Sequence, residues 1–154
     1  EVCMQNLLFV SHAPSANTQS IDARVMADLA EVDDVCVRHL SSLDASADDV
    51  CWCDGIIIGT TENFGSIAGL TKDFLERIYY PCLDETQGLP AAVYIRAGLD
   101  GQGSIQAIDR ITTGLRWRLI QPPRVLHGAW SDAFPGEASE LAMTLAVGLA
   151  AGIF

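Results

Sequence analysis

Positive charge is scarce in this chain. Its 154 residues include 9 lysines and arginines against 20 aspartates and glutamates, which gives a formal net charge of -11. Phosphate backbones and anionic lipids repel so acidic a protein, and this argues against nucleic acid or an acidic membrane as a partner. The acidity is typical of a solubilising surface, and a docking surface for a basic redox partner is the alternative.

Long hydrophobic runs are also absent. Residues 1–6 contain neither a basic region nor an apolar segment, so no signal peptide is visible. The apolar stretch 141–154 spans 14 residues, too few to cross a bilayer comfortably, and its alanines and glycines favour a helix packed closely on a sheet. We expect a soluble, cytoplasmic protein with one domain over residues 1–154.

The cysteines follow no disulfide pattern. Their number is odd, and Cys51-Trp-Cys53 is a Cys-x-Cys pair without a second ligand pair. We expect free thiols, with a metal site or a redox pair as the alternative. The five positions are Cys3, Cys36, Cys51, Cys53 and Cys82.

Apolar runs alternate with segments of helical periodicity. The runs at 7–10, 35–37, 55–59, 91–95 and 119–126 predict five β-strands. Between them apolar residues recur every three or four positions, as in amphipathic helices. This alternation implies right-handed crossovers and a parallel sheet. We predict a single doubly wound α/β sheet of five parallel strands in the order 2-1-3-4-5, with helices on both faces.

Such a sheet binds ligands beyond the carboxyl ends of its strands, at the switch point between strands 1 and 3. The loops at that edge cover residues 11–17, 60–66 and 97–103, and all three are rich in serine, threonine, asparagine and glycine. We therefore expect the functional site where these three loops meet.

The first loop, Ser-His-Ala-Pro-Ser-Ala-Asn-Thr at 11–18, leads from a buried strand into a helix. Free backbone N–H groups and the positive helix end favour an anion there, with Asn17 or Thr18 as the N-cap and Ser11 and Ser15 as hydroxyl donors. The loop lacks both the Walker A and the Gly-x-Gly-x-x-Gly patterns, so it suits a single phosphate held by neutral donors. His12 either contacts that phosphate or is merely exposed. A turn that only caps the helix is the alternative for the whole loop.

The second loop offers hydrogen-bonding groups and one aromatic ring. Thr61, Glu62 and Asn63 suit the edge of a polar heterocycle, and Phe64 suits its apolar face. A helix-capping turn with Phe64 in the core is the alternative. In the helix that follows, Lys72 and Glu76 are spaced for a structural ion pair.

The third loop has glycines at 98, 101 and 103, which let a flat ligand approach the backbone. A flexible loop without a ligand explains them almost as well. Arg96, just before this loop, is suited either to stabilising negative charge in the site or to pairing with a carboxylate, and we favour the pairing.

These motifs resemble a known family. Ser11-x-x-x-Ser15-x-Asn17-Thr18 resembles the phosphate loop of flavodoxins and NAD(P)H-dependent FMN reductases, and residues 54–77 resemble the second flavin loop and helix of that superfamily. Ala97-Gly98 matches its third loop, so the resemblance covers essentially the whole chain. It implies a flavodoxin-like fold with non-covalent FMN, the phosphate on loop one and the isoalloxazine between loops two and three. The implied FMN-binding residues are Ser11, His12, Ser15, Ala16, Asn17, Thr18, Thr60, Thr61, Glu62, Asn63, Phe64, Ala97, Gly98 and Gly103.

Two departures bear on function. Thr61 replaces the proline usual in loop two of the reductases, and loop three has no aromatic residue. One ring face is therefore open, or covered by a partner subunit, and an open face lets NAD(P)H or a quinone stack for hydride transfer. The leading expectation is an FMN-dependent oxidoreductase, reduced transiently by NAD(P)H, that passes electrons to a quinone, a free flavin or another small acceptor without a catalytic side chain.

Two other functions remain open. A flavodoxin-type one-electron carrier would dock a protein partner through its acidic surface. A receiver-type signalling module would need an acidic phospho-acceptor at the end of strand 3, where Gly59-Thr60-Thr61 stands, since Asp54 lies at the other end. The family resemblance also implies a homodimer whose second subunit borders the flavin. The remaining aromatic side chains are expected in the core or an interface: Tyr79, Tyr80, Trp117 and Trp130.

Overall fold

The computed structural model describes residues 4–154, so Cys3 lies outside the described residues. These residues form five helices and seven strands. In chain order the elements are β1 (Gln5–Ser11), α1 (Ala16–Leu29), β2 (Val35–Ser41), α2 (Ala47–Trp52), β3 (Gly55–Asn63), β4 (Ser66–Ile67), α3 (Gly69–Cys82), β5 (Pro90–Ala97), α4 (Gln102–Leu115), β6 (Arg118–Leu119), β7 (Arg124–His127) and α5 (Phe134–Ala150).

The main sheet is parallel, in the order β2-β1-β3-β5, with β6 and β7 both on the outer edge of β5. The predicted strand order 2-1-3-4-5 is confirmed, with the second strand at an edge. The prediction of one continuous fifth strand at 119–126 is wrong. Two residues separate Ala91 from Tyr94 on β5, but four separate their partners Leu119 and Arg124. Pro122 and Pro123 lie in that bulge, where the missing N–H groups interrupt the ladder.

Side chains alternate between two hydrophobic layers. On β3, Ile56 and Ile58 pack under α2, α3 and α4, whereas Ile57 packs under α1 and α5. All three are essentially inaccessible to solvent, which explains the unbroken apolar run at the centre of the sheet. The helices contribute to both layers: Ile21 of α1 and Ile108 of α4 are buried, one in each layer.

Helix α5 packs closely on the sheet through small side chains. Ala138, Ala142 and Ala146 are completely buried on it. Gly55 at the start of β3 leaves room for Leu149, whose Cδ1 would lie 2.5 Å from a Cβ at that position. Residues 141–150 of the apolar segment thus form the second half of a core helix, as expected, and residues 151–154 follow its end. Within residues 4–154 no helix is both long and apolar enough to cross a membrane.

The cysteines of the described part of the chain are free thiols, as predicted. Cys36 and Cys51 are exposed, and Cys53 and Cys82 are buried. Residues 4–154 contain no cluster of three or more histidine, cysteine or acidic side chains that would suit a metal ion.

Candidate functional site

The first loop connects β1 to α1 and is shaped by a capping box. Ser15 is the N-cap: its Oγ accepts from the Thr18 N–H at 3.2 Å, and the Thr18 Oγ1 accepts from the Ser15 N–H at 3.0 Å. The prediction of Asn17 or Thr18 as the N-cap is therefore wrong, because α1 begins at Ala16. The N–H groups of Ala16 and Asn17 precede the first intrahelical bonds, and the first turn of α1 carries no acidic residue. The positive end of α1 is thus open to an anion.

Ser11 is turned away from this helix end. Its Oγ donates to Asp22 Oδ2 at 2.7 Å and lies 2.9 Å from His39 Nε2, and Tyr94 Oη donates to the other oxygen of Asp22 at 3.2 Å. The hydroxyl of Ser11 is therefore committed to a buried polar network beside the loop. His12 is half-buried, and its backbone N–H donates to the Gly59 carbonyl at 2.9 Å.

The second predicted loop is mostly strand. β3 continues through Asn63 and pairs with β4 in a hairpin, with Asn63 opposite Ser66. The two turn residues, Phe64 and Gly65, both have positive φ, at 53° and 76°. The Phe64 side chain is fully exposed at the tip, so the alternative of Phe64 in the core is wrong.

Thr60 and Thr61 point to opposite sides of β3. The Thr60 hydroxyl is buried against α3, 2.8 Å from Thr71 Oγ1. Thr61 is also buried, but its Oγ1 has no hydrogen-bond partner among the described residues. Thr61 lies opposite Arg96 of β5 in the parallel register. An unpaired buried hydroxyl is costly, so this atom is suited to a polar ligand.

Glu62 and Gly103 join the hairpin to α4. The Glu62 carboxylate accepts two hydrogen bonds from Ser104 in the first turn of α4. Gly103 allows close packing, because a Cβ there would lie 1.7 Å from the Gly65 carbonyl oxygen. Gly103 therefore borders the hairpin turn, and it faces a separate groove between α3 and α4.

Arg96 projects from β5 into the site. Its Nη1 donates to the carbonyls of Ala97 at 2.8 Å and Leu126 at 3.0 Å, and its guanidinium lies 4.8 Å from the Phe134 ring centroid. No carboxylate pairs with it within the described chain, so the favoured ion pair is wrong. Partial burial lowers its pKa, but a guanidinium remains protonated at neutral pH. The other predicted pair, Lys72–Glu76, is confirmed at 3.3 Å.

Trp130 supplies the aromatic ring that loop three lacks. It follows β7, is half-buried, packs edge-on against Phe134 at 5.5 Å and donates from Nε1 to Asp132 at 3.3 Å. Trp117 is a core residue, as expected, and Tyr80 is largely exposed on α3. Trp130 packs against the core layer under α1 and α5, as expected, but its place on the wall of the cleft was not predicted. In the sequence, only the position of Trp130 after a predicted strand indicated that it lies near the site.

These elements enclose a cleft of about 260 Å³ at the carboxyl edge of the sheet. Seven of the fourteen predicted site residues line it. The other seven do not line it: Ser11, His12, Ala16, Thr60, Phe64, Ala97 and Gly103. The lining residues are Pro14, Ser15, Asn17, Thr18, Thr61, Glu62, Asn63, Arg96, Gly98 and Trp130.

Comparison with known proteins identifies the fold. No family model matches the chain, and no curated protein matches its sequence. Among solved structures, a flavodoxin from the domain Archaea is 18% identical, with a TM-score of 0.76 over 94% of this chain and 98% of its own. A WrbA-like flavodoxin from Agrobacterium tumefaciens is 16% identical, with a TM-score of 0.73 over 97% and 99% of the two chains.

An NADH:FMN oxidoreductase in its apo form is 17% identical, with a TM-score of 0.71 over 94% of this chain and 90% of its own. These similarities extend over nearly the full length of each protein, and they agree with the strand order of the sheet. The chain therefore has the flavodoxin-like α/β fold.

Proposed function

We propose that the cleft binds FMN and that the protein is an FMN-dependent oxidoreductase. The observation that carries this proposal is the buried, unpaired Oγ1 of Thr61 in a cleft whose other wall is the open end of α1. A solitary apolar ligand would leave that hydroxyl unsatisfied, and a ligand with both a phosphate and a polar ring satisfies both features. FMN is such a ligand. The flavodoxin-like fold of the chain makes FMN the first choice among ligands of this kind.

The phosphate belongs at the start of α1. Ala16 and Asn17 offer free backbone N–H groups, and the exposed Asn17 amide adds a donor. The hydroxyl of Thr18 donates to the Ser15 carbonyl at 3.0 Å, and the Ser15 Oγ lies 2.9 Å from the Thr18 Oγ1, so the Ser15 hydroxyl reaches a phosphate by exchanging that contact for the ligand. These donors are uncharged, so they suit a phosphomonoester without a lysine or a metal ion.

The ring belongs between β3 and the β5–α4 loop. Thr61 and Asn63 present polar atoms on one side, and Gly98 allows close approach of the backbone on the other. FMN supplies hydride and single-electron transfer when bound. The residues of the chain orient it, and Arg96 stabilises negative charge that develops in the cleft.

The proposed donor is NAD(P)H and the proposed acceptor is a small molecule such as a quinone or a free flavin. Of the residues that line the cleft, Trp130 alone is aromatic. A ring held there has one aromatic wall, and its second face lies toward the mouth of the cleft, where a nicotinamide has room to stack. A one-electron carrier remains the second candidate, because the net charge of -11 suits docking to a basic protein.

A homodimer at the mouth of the cleft is part of the proposal. Phe64 and Leu99 flank the lining residues Asn63 and Gly98, and their side chains are strongly exposed. Large apolar side chains beside a site favour contact with a second subunit or a partner protein. Light scattering coupled to size exclusion tests this dimer. A cytoplasmic location is also proposed, since free thiols are typical of reducing compartments.

Titration of the apo protein with FMN and with riboflavin tests the cofactor. We expect tighter binding of FMN, and a smaller difference between the two ligands in Asn17→Ala. Equal affinities in the unmodified protein would contradict a phosphate site at α1.

Anaerobic mixing of the FMN-loaded protein with NADH and with NADPH tests the activity. We expect loss of the flavin absorbance on a catalytic timescale with at least one of them. Absence of reduction, together with a one-electron state that accumulates on photoreduction, would establish the carrier instead.

A further inference from the structure

Two thiols lie in contact at the edge of the sheet opposite the cleft. Cys51 belongs to α2 and Cys82 is the last residue of α3, and their Sγ atoms are 3.8 Å apart. Both are free thiols. Because a disulfide joins sulfur atoms about 2 Å apart, a small side-chain movement brings these two within bonding distance.

The two helices are held together at this point. Arg77 of α3 donates from Nη1 to the Ala45 carbonyl at 2.8 Å and from Nη2 to the Ser42 carbonyl at 2.7 Å, just before α2. The Cys82 thiol itself contacts the Ala47 carbonyl at 3.7 Å. These contacts fix α2 on α3, so the proximity of the thiols is a property of the helix packing.

The two thiols differ in access. Cys51 is exposed and, with Cys53, lines a pocket of about 240 Å³, whereas Cys82 is completely buried. Burial, the neighbouring Cys51 thiol and nearby acidic groups raise the pKa of Cys82, and burial raises the pKa of Cys53 to about 12. Cys51 is thus the thiol that a dissolved oxidant meets first, and Cys82 stays protonated until it reacts.

Two acidic side chains also line this pocket. Asp54 and Glu85 lie on its wall beside Cys51. Negative charge there repels anionic disulfides such as oxidised glutathione, while a small neutral hydroperoxide enters freely.

We propose that Cys51 and Cys82 form a reversible dithiol–disulfide site that hydrogen peroxide oxidises. The Cys51 sulfur attacks one peroxide oxygen, the O–O bond breaks, and the product is a sulfenic acid on Cys51 and one water. The Cys82 sulfur then attacks the Cys51 sulfur, the S–O bond breaks, and the departing hydroxide takes the Cys82 proton to form a second water. Two thiols lose two electrons in all, peroxide gains them, and a dithiol reductant reverses the change.

This site is independent of the proposed cofactor. β3 begins at Gly55, just after Cys53, and reaches the cleft only at its far end, residues 61–63. The test therefore needs no flavin, and its failure leaves the proposal of FMN binding untouched.

Peptide mapping of the peroxide-treated protein tests the site. Cys3→Ser and Cys36→Ser remove two other cysteines from the full chain. After treatment with equimolar hydrogen peroxide, alkylation and trypsin, we expect a disulfide between peptides 39–72 and 78–96, together with the loss of two titratable thiols per chain. Dithiothreitol restores both thiols.

Two variants decide which thiol is used, because Cys51 and Cys53 share a peptide. Cys51→Ser changes an exposed side chain, and we expect it to abolish the link. Cys53→Ala is the matched control and retains it. A link that survives Cys51→Ser, a link lost in Cys53→Ala, or conversion of Cys51 to sulfinic acid without any link would overturn the proposal.

Discussion

Glu62, which lines the cleft, accepts a pair of hydrogen bonds from Ser104 of the neighbouring helix α4. The Glu62 Oε2 accepts from the Ser104 backbone N–H at 3.1 Å and from its Oγ at 2.8 Å. Ser104 is completely buried, and α4 has neither a side-chain cap nor an acidic residue in its first turn. The Glu62 carboxylate therefore caps the first turn of α4, although it belongs to a different element, β3.

Glu62→Ala tests whether the Glu62 carboxylate stabilises the first turn of α4. The change leaves two buried donors of Ser104 unpaired, so we expect a loss of about 1–3 kcal/mol in the free energy of unfolding, measured with urea. Glu76→Ala is the control, because it removes only an exposed ion pair with Lys72 and costs under about 0.5 kcal/mol. Equal losses of unfolding free energy in the two variants would show that the hydrogen bonds to Ser104 stabilise the protein no more than an exposed ion pair does.

Thr61→Val gives effects of opposite sign on stability and on binding. Valine has nearly the same shape and removes a buried hydroxyl without a partner, so the apo protein should become more stable, by about 1 kcal/mol. Affinity for FMN should fall by roughly tenfold, since the ligand loses a hydrogen bond. Thermal unfolding and a fluorescence titration measure the two effects.

Thr60→Val is the matched control for that pair of effects. The Thr60 hydroxyl already bonds Thr71 on the other side of β3, so its loss should destabilise the apo protein and leave FMN affinity unchanged. Should Thr61→Val destabilise the protein as Thr60→Val does, the hydroxyl of Thr61 has a partner within the protein.

Local sequence patterns predicted the sheet well, because a strand that is buried on both faces of the sheet is recognisable as an unbroken apolar run. Ile56, Ile57 and Ile58 had to be apolar whichever way they pointed, and the strand order followed from the alternation of elements. No apolar run marks the carboxyl end of β3. The apolar run stops at Gly59, and only the hairpin partner Ser66–Ile67 extends the strand to Asn63.

The cleft was predicted as three loops, but its chemistry depends on contacts between distant residues. The Ser15–Thr18 capping box is a local sequence pattern, but Asn17 competes with Ser15 as an N-cap candidate because asparagine and serine have about equal capping preferences. Arg96 and Trp130 are different, because their place depends on β5 lying beside β7. No pattern within either segment indicates that one reaches the other.

Arg96→Gln should make the reduction potential of the FMN-loaded protein more negative. A guanidinium in the cleft favours the added negative charge of the reduced state, and its loss removes that attraction. We expect a shift of a few tens of millivolts, since about 1.4 kcal/mol corresponds to ~30 mV for two electrons. Arg110→Gln makes the same charge change on the exposed face of α4, so redox titration should show little shift for it. Comparable shifts in both variants would assign the effect to net charge.

The contact between α1 and α5 predicts a pH dependence of stability. The Ser139 hydroxyl donates to Asp28, and Arg24 donates to the same carboxylate; these bonds lower the pKa of Asp28 below its ordinary 3.8. The folded state binds that proton less readily than the unfolded state, so the stabilisation is complete above pH 3.8 and is lost as the pH falls through the lower, folded value. The unfolding temperatures of the unmodified protein and Ser139→Ala should differ by a constant amount above about pH 5 and converge below pH 3.8. A difference that persists unchanged at the acid end would mean that Ser139 stabilises the helix pair by packing alone.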